Sequence, residues 1–524
     1  TQVIEQYPLI QKAFFLKWDE SEIESEITQI VDYFVAEKLI TLEATCFPSA
    51  SALGCSWDTD LCYEVGKAMG EEALDFGVSI ILGPGVNIKR SPLCGRNFEY
   101  YSEDPVLTGE MAAGLINGIQ SVGIGTCIKH FAVNNQEYRR LSVDACLSQK
   151  ALFDIYLKNF EIAIKKSKPF SVMCSYNRIN GQYACESKTL LTDILRNLWG
   201  FDGIVVSDWG ATNDRINCLK AGMELEMPGS GGINDMKVAQ AVKAGLLDEE
   251  VLNTGVLRLL KLIYKCHENK KDFKANFEEH HLLARKAAAQ SAVLLKNDNL
   301  LPIKAKEKIC VIGEFAKITR YQGGGSSHII STKIDNAYDE IVKINQLSNS
   351  NEIKYAIGYK IDEPKTDYNL IENALQIAEG CDKIVVFAGL PDSFESEGYD
   401  RKTLEIPQCQ NDLITALCQK NKNVIVVLYN GAPIVMPWKN QVGAILTCYL
   451  AGQAVGGAAA DLLFGKSVPC GKLSETYPEK IEDTPCFLSF PGYIDSSIYT
   501  EDIFVGYRYY DKKKIQPAFS FGFG

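Results

Sequence analysis

The stretch FDGIVVSDWGA, Phe201 to Ala211, decides the fold class of this chain. Its apolar run, Ile204 to Val206, is typical of a buried strand in a parallel sheet. Asp208 and Trp209 follow the run, and a carboxylate at the C-terminal end of such a strand lies where α/β barrels place their chemistry. A lone aspartate after a strand is more often the cap of the next helix. The interpretation of Asp208 therefore depends on what the rest of the chain brings to the same place.

Helix-like and strand-like segments alternate on both sides of this stretch. The predicted strands are Val78 to Leu82, Thr126 to Phe131, Ser171 to Cys174 and Gly203 to Val206. The predicted helices lie near Asp60 to Asp75, Pro105 to Ser121 and Leu147 to Lys166, from Lys188 onward, and upstream over Asp19 to Lys38. This alternation predicts repeated βα units with right-handed crossovers. Residues 1–265 are therefore expected to form one (β/α) barrel domain.

A second set of βα units follows a polar segment. Residues 266–279 lack apolar periodicity and are interpreted as a linker. The strands predicted after it are Ile309 to Ile312, Lys383 to Ala388, Val424 to Leu428 and Ala444 to Cys448. We expect residues 280–524 to form an open parallel sheet with helices on both faces. The tail from Thr500 to Tyr510 alternates, which predicts a closing strand.

The composition argues against several classes of function. The 524 residues carry a net charge of −12 with a pI near 5.2, which argues against a nucleic-acid partner or an anionic membrane surface. No apolar run reaches the roughly 18 residues of a membrane span. The 17 cysteines include no CxxC pair, so a reducing, cytoplasmic compartment is expected and a zinc site is not. A secreted form stays open because the chain begins at Thr1, and a homo-oligomer stays open as well.

Polar residues follow three of the predicted strands directly. One segment contains Arg96, a second begins with Lys129 and His130, and a third contains Tyr176. The carboxyl ends of parallel strands open on one face of a barrel. These side chains are therefore expected to converge with Asp208.

The donors in these segments suit a polyhydroxylated ligand, and the indole of Trp209 offers a flat apolar face to a sugar ring. Each donor also has a purely structural interpretation. In that interpretation Arg96 pairs with Glu99 or Asp104, and the Lys-His dipeptide is a buried pair that holds a loop. The convergence of all of them with one carboxylate favours a ligand site.

Long segments of the chain resemble the family 3 glycoside hydrolases, and within that family the β-glucosidase type. The resemblance extends from about Cys46 to the end of the chain. The motifs that carry it are GPGVNIKRSPLCGRNFEYYSEDP, KHFAVNNQEYRR, MCSYNRING, GFDGIVVSDWGA, LEMPG, YQGGGSS, ESEGYDR, GKL and IFVGYRYYD. The resemblance implies a (β/α)8 TIM-like barrel followed by an (α/β)6 sandwich, with the active site between the two domains.

The resemblance also implies a function and residue roles. The implied function is exo-acting, retaining hydrolysis of terminal β-D-glucosyl residues of a small glucoside or oligosaccharide, through a covalent glycosyl-enzyme and without cofactor or metal. Asp208 is the implied nucleophile, and Glu397, in the ESEGYDR motif, is the implied acid/base. The residues implied to hold the sugar are Arg96, Lys129, His130 and Tyr176, with Trp209 at the border of the aglycone.

The chemistry of retaining glycosidases suits these two carboxylates, one attacking the anomeric carbon and one protonating the leaving oxygen. The nucleophile must stay ionised, so the strand-end cations, His130 included, are expected to favour the charged form of Asp208. The acid must begin protonated, and the like charges of Glu395 and Asp400 are expected to raise the pKa of Glu397. Glu395 is the rival for the acid role, and a solvated acidic loop is the alternative interpretation of the segment.

One departure from the family pattern concerns the start of the barrel. Enzymes of this type carry an Asp-Gly-Pro-His-Gly-like motif before the segment that matches Cys46 to Pro48, and none occurs from Leu39 to Thr45. The first strand and its sugar-binding aspartate are therefore expected to be missing or altered. This keeps open a β-xylosidase or another exo-β-glycosidase of the family, and a catalytically silent sugar-binding relative. A phosphate-dependent transferase is weakly supported, since the loop Gly323 to Gly325 lacks the Lys-Ser/Thr of a P-loop.

Overall fold

The computed structural model describes residues 42–304, 306–347 and 353–524 of the chain. Each half of this part of the chain builds a largely parallel sheet that is packed against helices. The helix predicted over Asp19 to Lys38 lies outside the described residues. The domain limits at residues 265 and 280 stay a prediction.

The first half alternates helices and short strands. Its helices are α1 (Ala50–Ser56), α2 (Thr59–Asp75), α3 (Pro105–Ser121), α4 (Gln149–Ala151), α5 (Lys158–Ser167), α6 (Arg215–Ala221), α7 (Ile233–Lys243) and α8 (Glu249–Asn269), with π-helical turns at Leu152–Tyr156 and Thr189–Leu198. Its strands are β1 (Ile80–Ile81), β2 (Gly125–Phe131), β3 (Asp144–Cys146), β4 (Ser171–Cys174), β5 (Arg178–Ile179), β6 (Gln182–Tyr183) and β7 (Ile204–Ser207).

Strands β1, β2, β4 and β7 lie side by side in this order, and all of them are parallel. Val206 adds a parallel bridge to Leu225 at the edge of β7. The prediction of a TIM-like first domain is confirmed. Before this sheet, Ala44 forms its bridge with Ser331 of the second half rather than with β1. The four parallel strands therefore point their carboxyl ends in one direction, toward the polar segments that the sequence places there.

The second half forms one six-stranded sheet. Its helices are α9 (Phe277–Ser291), α10 (Ala337–Leu347), α11 (Tyr368–Ala378), α12 (Gln408–Lys420), α13 (Val455–Leu463) and α14 (Tyr507–Lys513). The strands of this sheet are β8 (Val293–Asn297), β9 (Ile309–Ile312), β10 (Ile353–Ala356), β11 (Lys383–Gly389), β12 (Val424–Tyr429) and β13 (Ala444–Thr447). A further strand, β14 (Ser496–Ile498), pairs in parallel with β3 of the first half. The sheet order is β10-β9-β11-β12-β13-β8, with only the edge strand β8 antiparallel. Every residue of β11 and β12 is buried, which explains their continuous apolar sequences.

The closing strand predicted from Thr500 to Tyr510 is wrong. Helix α14 begins at Tyr507, and turns precede it. The physical reason is the buried carboxylate of Glu103, whose Oε1 accepts a hydrogen bond from the Tyr507 N–H at 2.7 Å and thereby satisfies a free donor at the start of the helix. The apolar residues of the tail pack on the first half instead of extending the sheet.

Buried ion pairs join the two halves beside the first polar segment. Lys89 Nζ lies 2.6 Å from Glu475, and Arg90 Nε lies 2.5 Å from Glu501, with all four side chains at most 2% exposed. Removing one partner of such a pair leaves an uncompensated buried charge and costs about 3–5 kcal/mol. These pairs hold the segment that carries Arg96 against the second half.

Candidate active site

Asp208 lies directly after β7 and is buried. Its N–H donates to the carbonyl of Cys174 at the end of β4, at 3.1 Å, so the backbone ladder sets its position. One carboxylate oxygen accepts the N–H of Trp209 at 2.8 Å, and the other lies 3.5 Å from Nε2 of His130. Burial raises the pKa of Asp208, while the Trp209 N–H and the charge of Arg96 act in the opposite direction.

His130 is a neutral group in this site. Burial lowers its pKa well below the usual value, and the charges of Arg96 and Lys129 lower it further. Its Nδ1 lies 3.3 Å from Oδ1 of Asn87 and 3.4 Å from the hydroxyl of Tyr100. The expectation that His130 supplies a positive charge to the site is therefore wrong, because a buried imidazole between cations loses its proton.

Lys129, Tyr176 and Trp209 surround Asp208 as the strand-end argument predicts. The charge of Lys129 acts to lower the pKa of Asp208. Burial and the neighbouring Asp208 carboxylate raise the pKa of Tyr176. The indole of Trp209 is 44% exposed, so one of its surfaces is accessible to a ligand.

Arg96 has the salt bridge that the structural interpretation proposes, and it also reaches the second half. Its guanidinium donates to both oxygens of Glu99, at 3.0 and 2.7 Å. Its Nη1 lies 3.5 Å from Glu397, and its charge acts on Asp208 as well. Arg96 is 1% exposed and therefore connects the strand-end carboxylate with the carboxylate from the other domain.

Glu397 is held as an anion by groups from three other segments. Its Oε1 accepts a hydrogen bond from Nη1 of Arg140 at 2.8 Å, and its Oε2 accepts from the N–H and the hydroxyl of Ser326, at 2.8 and 2.5 Å. Although burial acts to raise it, the pKa of Glu397 is lowered to about 2, because Arg96, Ser326 and Arg140 stabilise the charged form. The expectation that Glu395 and Asp400 raise this pKa is wrong, because cations and donors outweigh the like charges.

Glu395 points into the second domain. Both of its oxygens accept the N–H of Gly431, at 2.8 and 3.0 Å, and the side chain is 2% exposed. Burial raises its pKa, although Arg320 and Arg401 act against that rise. The acidic segment is thus not a solvated loop, since Glu395 is buried and Glu397 is paired.

Two glycines allow the loops to approach closely enough to build the site. A Cβ on Gly95 would lie 1.8 Å from the carbonyl oxygen of Tyr399, in the second domain. Gly325 has φ +107, and a Cβ there would lie 2.3 Å from Cβ of Glu397. The glycine-rich loop is therefore a backbone surface that packs against Glu397, and it presents Ser326 to the carboxylate.

Sequence reasoning missed Arg140 and Ser326 as partners of Glu397. Arg140 also places its guanidinium over the ring of Tyr176, 4.9 Å from the centroid. Both residues lie in segments that the sequence singled out, KHFAVNNQEYRR and YQGGGSS. Their contact with Glu397 depends on how the two domains meet, which no local pattern encodes.

The described ranges also bear on metal and membrane functions. They contain no group of three or more His, Cys, Asp and Glu side chains that is placed to hold a metal ion. Nor does this part of the chain contain a helix that is both long and apolar enough to cross a membrane. All 17 cysteines are free thiols, and most of them are buried.

The site thus combines a carboxylate at a strand end of the first half, Asp208, with one on a loop of the second half, Glu397, and the guanidinium of Arg96 acts on both. Two family models match the chain: the glycosyl hydrolase family 3 N-terminal domain over residues 35–262 and the glycosyl hydrolase family 3 C-terminal domain over residues 292–507. The chain belongs to glycosyl hydrolase family 3.

Individual relatives differ in the sugar that their names specify. The chain is 52% identical to thermostable beta-glucosidase B of Acetivibrio thermocellus, over 94% of this chain, and 44% identical to an exo-alpha-(1->6)-L-arabinopyranosidase of Bifidobacterium longum, over 92%. It spans 65% of the length of each of these relatives. The solved structure of beta-glucosidase 3B from Thermotoga neapolitana in complex with alpha-D-glucose is similar, with a TM-score of 0.84 and 37% identity. That similarity covers 92% of this chain and 72% of the other.

Proposed function

We propose that this protein is an exo-acting, retaining β-glucosidase that releases terminal β-D-glucosyl residues from small glucosides or oligosaccharides. The observation that carries the proposal is the pair of carboxylates from two domains, Asp208 and Glu397, both in contact with or close to Arg96. The name of the 52% identical relative supports glucose as the sugar, and so does the alpha-D-glucose in complex with the Thermotoga neapolitana enzyme.

In the first step, Asp208 attacks the anomeric carbon, and Glu397 protonates the departing oxygen. In the second step, Glu397 accepts a proton from water, and the glycosyl-enzyme is hydrolysed. The low pKa of Glu397 suits this second step, because a base must be ionised. For the first step, sugar hydroxyls that compete for Arg96 or Arg140 would raise that pKa and favour the acid form.

Roles for the remaining residues follow from their positions. The sugar hydroxyls accept hydrogen bonds from Arg96 and Lys129, and they contact the neutral imidazole of His130. Tyr176 orients the sugar ring beside Asp208. Trp209, with its exposed indole, borders the aglycone.

A second candidate function is hydrolysis of an α-L-arabinopyranoside, which the 44% identical relative favours. Xylose lacks the hydroxymethyl group of glucose, and α-L-arabinopyranose lacks it and also has the opposite configuration at C4. The discrimination therefore depends on contacts with the hydroxymethyl group and with the C4 hydroxyl. The free, mostly buried thiols favour a cytoplasmic location for the enzyme.

The test is hydrolysis of matched 4-nitrophenyl glycosides by the full chain: β-D-glucoside, β-D-xyloside, β-D-galactoside and α-L-arabinopyranoside. We expect the largest kcat/KM for the β-D-glucoside, and proton NMR of the first product is expected to detect the β-anomer. Preference for the arabinopyranoside would support the second candidate. A protein that binds glucose without turnover of any glycoside would overturn the enzyme proposal.

A further inference from the structure

Asp400 joins the loop that carries Glu397 to two loops of the first domain. Its Oδ1 accepts the backbone N–H of Gly95 at 3.1 Å and of Glu137 at 3.0 Å, and its Oδ2 accepts the N–H of Tyr138 at 2.9 Å. One carboxylate from the second domain thus satisfies three backbone donors of the first. Backbone donors of this kind are costly to leave unpaired when buried, so each bond resists separation of the loops.

Glu137 makes the return connection. Its side chain is 1% exposed, and its Oε2 accepts the N–H of Gly398 at 2.9 Å. The two loops are therefore joined by reciprocal hydrogen bonds: Asp400 accepts the backbone N–H of Glu137, and Glu137 accepts the backbone N–H of Gly398. Glu397 lies within the segment that these reciprocal hydrogen bonds hold in place.

Arg140 links the reciprocal hydrogen bonds between the loops to the charge of Glu397. Its Nη1 donates to Glu137 and to Glu397, at 2.8 Å in both cases. Burial raises the pKa of Glu137 to about 7, although Arg140 and Arg96 act against that rise. One guanidinium thus pairs with two carboxylates, and a change in the charge of either carboxylate alters the electrostatic stabilisation that the other receives from Arg140.

We propose that Glu137 and Asp400 are positioning residues that hold Glu397 over the site, and that Glu137 also shares the charge of Arg140 with Glu397. This inference rests on the proposed function, in which Glu397 is the acid/base. Neither residue is assigned contact with the sugar. Without the charge of Glu137, Arg140 is fully available to Glu397 and stabilises its ionised form, so less of the acid form is present for the first step.

The kinetic test compares leaving groups in Glu137→Gln and Asp400→Asn. A phenyl β-glucoside needs protonation of its leaving oxygen, whereas a 2,4-dinitrophenyl β-glucoside does not. We expect kcat/KM, which reports the glycosylation step, to fall about 10- to 100-fold for the phenyl glucoside in each variant, and to change far less for the dinitrophenyl glucoside. An equal loss for both substrates, or no loss, would overturn the positioning role.

The controls are the same substitutions at partly exposed ion pairs. Asp495→Asn breaks a partly exposed ion pair with Arg139, which lies on the same first-domain loop as Glu137. Glu161→Gln does so on α5, where Glu161 pairs with Lys158 and Lys165. Both controls are expected to keep the wild-type ratio of the two substrates.

A second measurement does not require turnover. Hydrogen–deuterium exchange of a peptide that contains Gly398 is expected to accelerate in both variants but not in the controls. In Glu137→Gln a weaker, neutral acceptor replaces the carboxylate that binds the N–H of Gly398, and in Asp400→Asn the carboxylate that holds the Glu137 backbone is lost. Wild-type exchange in both variants would refute the inference. An inactive wild type would refute the proposed function alone, because the exchange result would still decide whether the two carboxylates hold the loop.

Discussion

The two carboxylates of the site are held in different ways. Asp208 is placed by its own strand, since β7 pairs with β4 up to Ser207 and the next N–H donates to Cys174. Glu397 lies on a loop after the 3₁₀ turn Asp392–Phe394, and its carboxylate is held by Arg96, Arg140 and Ser326.

The surroundings also shift the two proton affinities in opposite directions. Burial raises the pKa of Asp208, whereas cations and donors lower that of Glu397 to about 2. A strand end fixes a carboxylate through the local backbone ladder. A loop, by contrast, needs partners from distant segments, and those partners decide its charge. The comparison predicts that substitutions at the strand end abolish chemistry, while substitutions around the loop tune it.

The largest effect is expected for Asp208→Asn. The substitution removes the attacking oxygen, so kcat on 4-nitrophenyl β-glucoside is expected to fall by about 10⁴-fold or more, as for other covalent nucleophiles. Mass spectrometry of wild-type protein treated with a 2-deoxy-2-fluoro glucoside is expected to find the label on Asp208. Asp202→Asn, at the exposed opposite end of the same strand, is the control. A label on another carboxylate would contradict the assignment.

Glu397→Ala is expected to cost about 10²- to 10⁴-fold in kcat, and azide is expected to restore turnover with formation of a glycosyl azide. Azide needs no general base, so rescue distinguishes an acid/base from a structural residue. Glu395→Gln is the matched comparison: the loss of one of the two buried oxygens that accept the N–H of Gly431 is expected to lower the unfolding temperature, without azide rescue. Rescue of the Glu395 variant instead would reverse the two roles.

Gly95→Ala tests the contact between the domains. The added Cβ would overlap the carbonyl of Tyr399, so we expect a loss of stability of about 1–3 kcal/mol in urea unfolding, together with a reduced kcat. Gly229→Ala is the control, because no heavy atom lies within 4 Å of a Cβ at that position. Unchanged stability and activity of Gly95→Ala would show that the loop does not need this close approach.

The smallest effect is expected for Ser326→Ala. The loss of its hydroxyl hydrogen bond removes about 1.5 kcal/mol of stabilisation from the carboxylate, so the pKa of Glu397 is expected to rise by about one unit. The limb of the kcat/KM pH profile that disappears in Glu397→Gln is expected to move to higher pH. Ser331→Ala, whose hydroxyl contacts Tyr321, is expected to leave the profile unchanged. A shift to lower pH would contradict the ionised form of Glu397.

The sequence by itself determined the alternating βα units and the strand that presents Asp208. A continuous apolar run such as Ile204 to Val206 is typical of a strand in the interior of a parallel sheet. The residue that follows the run therefore lies at the carboxyl edge of that sheet. The same argument predicted where Lys129 and Tyr176 would lie. Their motifs also sufficed to identify the family by resemblance.

Only the tertiary structure decided the charge states and the partners of the loop residues. Burial and neighbouring cations lower the pKa of His130, whereas cations and donors from distant segments lower the pKa of Glu397 against the effect of burial. The tail from Thr500 to Tyr510 has the alternation of a strand, but Glu103 caps a helix there. Local periodicity encodes strands and helices, whereas electrostatic interactions and unpaired backbone donors are resolved only when distant segments meet.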